Sequence, residues 1–180
     1  LSDSFNINCL KILTDDDKCY IVKYYYKKNN KFNAIKSETD NLLFFNSGKF
    51  NYFPTIINNN SKYLIMSFID NDANQPNQTN NDLLHAIISL HSEKSTDYGF
   101  NFDTQIGGLR QFNSKSKNWV EFYRDKRLYY IFDLINKSHP MDKTINTKID
   151  LLIKKIDNFI PDKPISSLLH GDLWEGNILF

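Results

Sequence analysis

Near the end of the chain a polar loop, His170-Gly171-Asp172-Leu173-Trp174-Glu175-Gly176-Asn177, lies between the runs Ser167-Leu168-Leu169 and Ile178-Leu179-Phe180. Its His, Asp and Asn stand as H-x-D-x-x-x-x-N, a spacing suited to moving a phosphoryl group onto a hydroxyl. A carboxylate such as Asp172 accepts or orients the proton of the attacking hydroxyl, and the amide oxygen of Asn177 holds a magnesium ion that bridges phosphates. The five-residue interval lets one loop serve both tasks. A plainer reading of the same residues is a turn in which Asp172 caps a helix, but Gly171 and Gly176 favour a tightly turned loop over a helix end.

Such a loop needs a cation to meet the phosphates, and Tyr20-Ile21-Val22-Lys23 offers one at the end of a strand-like run. A lysine there is ordinarily a solvated edge residue. Glu38, fifteen residues on and inside a predicted helix, supplies a carboxylate that would pair with Lys23 and hold it toward the phosphates. Strand lysine, helix glutamate, linker, helices and then the polar loop is the order of a kinase-like chain.

The bulk properties narrow the field. The chain has 180 residues, 22 Lys and Arg against 21 Asp and Glu, and a formal charge of +1, which fits a globular chain of one or two domains with a real core. A balance so near zero gives no support for a nucleic-acid binder that tracks phosphates. No apolar run approaches the roughly 18 to 20 residues that span a bilayer, and no basic-then-apolar leader stands at Leu1. Cys9 and Cys19 are too few for a disulfide framework and lack C-x-x-C spacing, so they read as structural thiols in a reducing compartment, and a cytoplasmic location is expected. His91, on the apolar face of its predicted helix, reads as a satisfied core residue, and His85 and His139 have no partners at metal-site spacing. The tyrosines and phenylalanines, among them Tyr24-Tyr25-Tyr26 and Phe44-Phe45, suit core and strand positions. The Asn-rich runs and the three sequons carry no functional weight in an Asn-rich chain. Opening on Leu1 and stopping inside an apolar run at Phe180, the sequence reads as a piece of something longer.

The elements that must position these residues follow from periodicity. Asn8 to Leu13 and Lys18 to Tyr26 predict a hairpin around Thr14-Asp15-Asp16-Asp17. A helix is predicted from Phe32 to about Asn46, ended near Ser47-Gly48, and two further strands at Pro54 to Asn58 and Lys62 to Ile69. A polar linker, Asp70 to Thr79, separates this part from helices starting at Asn81, at Trp119 to Ile135 and at Thr144 to Phe159. The expected fold class is α+β, with a β-rich lobe at 1–70 and a partial helical lobe at 71–180 that ends in the polar loop.

The loop is similar to the HGDLWSGN signature of the fructosamine kinase (ketosamine-3-kinase) family, relatives of the aminoglycoside and choline phosphotransferases, with Trp174 as the discriminating residue. Upstream, Ile106-Gly107-Gly108-Leu109-Arg110-Gln111-Phe112-Asn113 resembles that family's I-G-x-x-x-Q-x-N stretch, and Trp119, Phe122, Arg124 and Arg127 its following aromatic and basic positions. Leu90-His91 and Tyr98-Gly99-Phe100 also match. The resemblance implies a protein-kinase-like two-lobe fold and transfer of the ATP γ-phosphoryl, with magnesium, to a sugar hydroxyl of a ketosamine, either a small molecule or a glycated protein lysine. By the same resemblance Asp172 is the catalytic base, Asn177 a magnesium ligand, Lys23 a phosphate ligand and Glu38 its ion-pair partner. Ser67, Phe68 and Ile69 would meet the adenine. Trp174 and the Gln111/Asn113 stretch would shape or support the acceptor pocket, or be purely structural.

Three departures limit the likeness. Ser2-Asp3-Ser4-Phe5-Asn6-Ile7-Asn8 stands where the family commonly has phosphate-covering glycines, and Asp3 would repel phosphate. Glu175 replaces a serine and adds charge beside the metal position. The second metal-binding aspartate that follows such loops is not within the 180 residues, so they are expected to be inactive alone, with exposed apolar surface. Alternatives in view are a phosphotransferase for another hydroxyl acceptor, of aminoglycoside or choline type, and a non-catalytic pseudokinase. Arg110, Arg124 and Arg127 would hold an anionic group or lie on a helix surface, and His170 reads as a packed loop residue bonded to a backbone carbonyl. Neither nucleic acid nor membrane is expected as a partner, and the oligomeric state is open.

Overall fold

The computed structural model describes residues 6–27, 32–48, 50–71, 81–107 and 109–179. The greater part of the glycine-poor turn, Ser2 to Phe5, and most of the polar linker lie outside them, as does Gly108. An antiparallel sheet runs in the order β1-β2-β4-β3, from β1 (Ile7–Leu13), β2 (Cys19–Tyr25), β3 (Ile56–Asn59) and β4 (Tyr63–Ser67). The predicted hairpin closes as Thr14 N–H donates to Lys18 O and Asp17 N–H to Thr14 O, both at 3.0 Å. Asp17 adopts φ +59°, a left-handed conformation that Asp tolerates better than most residues.

Helix α1 (Ala34–Phe45) packs on one face of this sheet, and its start is fixed by two groups. Asn33 Oδ1 accepts from Lys36 N–H at 2.9 Å, and the Tyr25 hydroxyl accepts from Ala34 N–H at 2.8 Å, satisfying donors that a helix leaves open. Ile35 and Leu42 of α1 meet Leu64 and Met66 of β4, with Ile7, Ile21, Tyr25, Phe53 and Ile56 packed around them. Ile35 and Leu64 are fully buried, and truncating Leu64 to alanine would cost about 2–5 kcal/mol.

Beyond β4 come α2 (Asp82–Ser92), the short pair β5 (Thr104–Ile106) and β6 (Leu109–Gln111), α3 (Trp119–Tyr123), α4 (Tyr130–Ser138) and α5 (Lys143–Lys154). The single helix predicted from Trp119 to Ile135 is three pieces, because Arg124–Tyr129 winds as a π-helix between α3 and α4. Such a widened segment changes the rotational phase of the side chains on either side of it.

The chain forms two compact units. The first joins 1–91, 104–110 and 169–180, and the second joins 92–103 and 111–168. In the second, Tyr98, Val120, Phe122, Ile153 and Ile156 are buried, and Tyr98 donates its hydroxyl to Pro164 O. Among the described residues no helix is long and apolar enough to cross a membrane.

Candidate active site

Helical spacing explains how α1 presents a carboxylate to the sheet. Ile35, Glu38, Leu42 and Phe45 recur at intervals of three and four, so Glu38 shares the inward stripe with core residues. Lys23 on β2 pairs in register with Leu64 of β4 and Cys9 of β1, which sets its side chain on the face that α1 covers. The two meet at 2.6 Å between Lys23 Nζ and Glu38 Oε1, with side chains 27% and 29% exposed. A half-buried ammonium, oriented by one carboxylate and still reachable from solvent, suits a phosphate oxygen.

The polar loop also belongs to the first unit. Gly171 turns it at φ +87°, and Glu175–Asn177 form a single 3-10 turn. Asn177 closes the loop on itself, its Nδ2 donating to Asp172 O at 2.7 Å and to Asp172 Oδ2 at 3.1 Å. The amide nitrogen is thereby committed to Asp172, so the group Asn177 offers to a hard cation is Oδ1. Asp172 is exposed and open to a hydroxyl.

Trp174 is 57% exposed, and its indole lies across Gly176: a Cβ added at Gly176 would sit 2.4 Å from Trp174 Cη2 and Cζ2. Only glycine leaves room for the ring there. The exposed indole is a flat apolar surface two residues from Asp172. Glu175, beside it, is exposed as well.

At the strand end, Ser67 N–H donates to Thr55 O at 2.8 Å and Phe68 N–H to Cys19 O at 3.4 Å. Those two donors are used within the sheet. Lys11 Nζ lies 3.8 Å from the centre of the Phe68 ring. Ile69 is partly exposed.

The first unit thus brings Lys23 to Glu38 and Asp172 to Asn177, and rings link the two pairs. His170 lies parallel to Phe53, with centroids 6.4 Å apart and planes within 11°. Phe53 stacks on Phe45 of α1 at 3.9 Å, again within 11°. His170 Nδ1 accepts from Asp172 N–H at 3.4 Å, where a backbone carbonyl partner is predicted from sequence. Reading the aromatic residues as generic core overlooks this stack. The spacing of Phe45, Phe50 and Phe53 beyond Glu38 is the only trace it leaves in the sequence.

Other candidates are engaged within the fold. Asn113, 4% exposed, donates Nδ2–H to Phe102 O at 3.0 Å and accepts at Oδ1 from Arg127 Nη2 at 2.6 Å. Arg127 also donates to Phe112 O at 2.8 Å. Burial pushes its guanidinium below its ordinary pKa, with the Asp103 carboxylate acting the other way. Arg127 therefore holds the interior of the second unit, neither an anionic ligand nor the helix surface. Arg124 pairs with Asp125 at 2.8 Å, and Arg110 lies over the Phe32 ring.

Comparison with known proteins gives one consistent answer. The fructosamine kinase family profile matches residues 4–180. The chain is 37% identical over 121 residues to the chloroplastic protein-ribulosamine 3-kinase of Arabidopsis thaliana, an alignment covering 66% of this chain and 36% of that one. With a probable ketoamine kinase of Vibrio cholerae it shares 26% identity over 176 residues, 91% of this chain and 60% of the relative. A crystal structure described as a candidate fructosamine-3-kinase from Thermobifida fusca superposes with a TM-score of 0.84 at 20% identity, over 98% of this chain and 62% of that one. The chain therefore spans about a third of the plant relative's length. The α+β fold is of the protein-kinase-like kind.

Proposed function

Because the chain belongs to the fructosamine kinase family, we propose that it serves ATP- and magnesium-dependent phosphorylation of a sugar hydroxyl on a ketosamine. The observation that carries this reading is the pairing of Lys23 with Glu38 at 2.6 Å in the same compact unit as the Asp172–Asn177 clasp. Lys23 donates to phosphate oxygens and is kept from swinging away by Glu38. Asp172 orients the acceptor hydroxyl and takes its proton as the new bond forms. Catalysis then rests on positioning and on charges fixed in advance.

Of the residues present, Asn177 would hold a magnesium ion through Oδ1, a hard oxygen ligand, since its Nδ2 is engaged by Asp172. When bound, magnesium neutralises charge on the phosphoryl group in transfer. At the end of β4, with the Ser67 and Phe68 donors engaged, adenine recognition falls to carbonyl oxygens and to the backbone of Ile69. Trp174 offers its exposed indole to the acceptor.

Two relatives are named for ribulosamine and ketoamine substrates, which supports a glycated amine or glycated protein lysine as the acceptor. The two free thiols suit a reducing compartment, and we assign the cytoplasm. The nucleotide-binding lobe is taken as 1–70 and the helical lobe as 71–180. The deciding experiment measures ATP consumption by the full-length protein with fructosyl and ribulosyl amines, an aminoglycoside and choline as acceptors. Turnover with a ketosamine alone supports the reading. Turnover with choline or an aminoglycoside moves the protein to a neighbouring acceptor class, and nucleotide binding without turnover on any acceptor makes it a pseudokinase.

A further inference from the structure

We propose that Phe53 is a positioning residue for the transfer: its ring, parallel to both Phe45 of α1 and His170 of the loop, couples the Lys23–Glu38 pair to the Asp172–Asn177 clasp. The inference rests on the phosphotransfer reading and adds a component to it. Each joint of this relay has its own geometry. Phe45 lies seven residues after Glu38, two turns along α1 on the same face, so a tilt of the helix at Phe45 carries Glu38 with it. Phe53 covers Phe45 at 3.9 Å with planes 11° apart, and His170 continues the same plane direction at 6.4 Å. Through Nδ1 the imidazole accepts the amide N–H of Asp172, so the last ring of the stack touches the residue assigned as base.

Phe53 is itself held by its surroundings. Asn46, at the end of α1, donates to Pro54 O at 3.1 Å and accepts from Ile56 N–H at 3.0 Å, which clamps the segment carrying Phe53 to the helix. Phe50, 5% exposed, meets Phe45 edge-on at 5.6 Å and Phe53 at 6.4 Å. A residue needed only to bury carbon would be served by leucine. Two parallel contacts on one ring demand a plane, and a plane transmits orientation.

The test uses the intact protein with Phe53→Leu, Phe53→Tyr, Glu38→Gln and the Phe53→Leu/Glu38→Gln double variant. Turnover with the ketosamine is measured beside the NMR resonances of the His170 ring, which a Phe53 ring current shifts. Phe53→Leu is expected to lower kcat about tenfold at unchanged acceptor KM and nearly unchanged melting temperature, as for a small misplacement of reacting groups. Phe53→Tyr restores most of the rate and the His170 resonances. Because both residues act through one helix, the double variant falls no more than about twofold below Glu38→Gln alone. Full kcat in Phe53→Leu, equal loss in Leu and Tyr variants, or losses that multiply in the double variant overturn the proposal. If the wild type turns over no ketosamine, the functional reading fails by itself. The stack is then judged by His170, whose resonances staying put in Phe53→Leu would refute it.

Discussion

Two stretches of this chain carry the densest resemblance to a known family, and the structure uses them in opposite ways. In the loop 169–179, Asp172, Trp174, Glu175 and Asn177 are all exposed, and the Asn177 side chain clasps the loop through Asp172. Around Asn113 and Arg127, by contrast, the polar groups face inward. Asn113 N–H donates to Asp103 Oδ1 at 2.8 Å, Phe100 N–H donates to Asn113 O at 2.9 Å, and Arg127 closes the group. Gly99, at φ +104°, has no room for a side chain there, since a Cβ would stand 2.5 Å from Asn113 O. A motif of polar residues in one primary structure is thus of two kinds: one leaves its groups for a ligand, and the other spends them on the fold.

That contrast can be broken by substitution. Asp172→Asn should lower kcat by about a thousandfold, within the range for loss of a positioned base, while nucleotide binding and the melting temperature hold. An Asp172→Asn protein with normal turnover would remove the loop from the chemistry. At Asn113 the signs reverse: Asn113→Ala should cost about 2–3 kcal/mol of stability, because it strands a buried guanidinium and a backbone carbonyl, and any folded fraction should keep its kcat. Denaturant titration reads the first quantity and active-site-normalised rates the second.

Between these extremes lies Gly176→Ala, which displaces the Trp174 indole without touching the core. The expected outcome is a raised KM for the acceptor with the KM for ATP unchanged. Equal changes in both would show that the ring serves the loop and not the acceptor.

The smallest effect concerns α5, whose first turn is capped by Asp142. Its side chain accepts from Thr144 N–H at 2.7 Å, and that backbone bond is the main cause holding its carboxyl below the ordinary carboxylate pKa. A depressed folded value means that the cap's contribution is complete above the ordinary pKa near 4 and vanishes as pH falls through the folded one. Melting curves of wild type and Asp142→Ala should differ at pH 7 and converge as the solution is acidified. Curves that stay parallel to low pH would deny the charge any part in the cap.

How far the sequence could be read depended on the range of the interactions. The four strands and α1 were legible because alternation and the stripe of Ile35, Glu38 and Leu42 are local signals, and Lys23 with Glu38 could be paired from the kinase-like order. The pair β5 and β6 was not, since three-residue strands around Gly107 leave too few alternating positions. The π-helical widening at Arg124 has no side-chain period of its own. The sequence leaves Arg127 between a ligand and a surface role because its partner, fourteen residues away, lies across a loop and helix α3. Phe53 and His170 are separated by more than a hundred residues, and no local pattern joins them.

Residues 104–110 and 169–180 return to the unit that begins at the N-terminus. During synthesis, therefore, the sheet and α1 emerge early yet must wait for residues 169–180 before His170 reaches Phe53. Until then the nascent chain presents an uncovered aromatic surface that chaperones bind readily. Slowing the ribosome just before position 169 should lengthen that exposure, making codon choice there a determinant of yield.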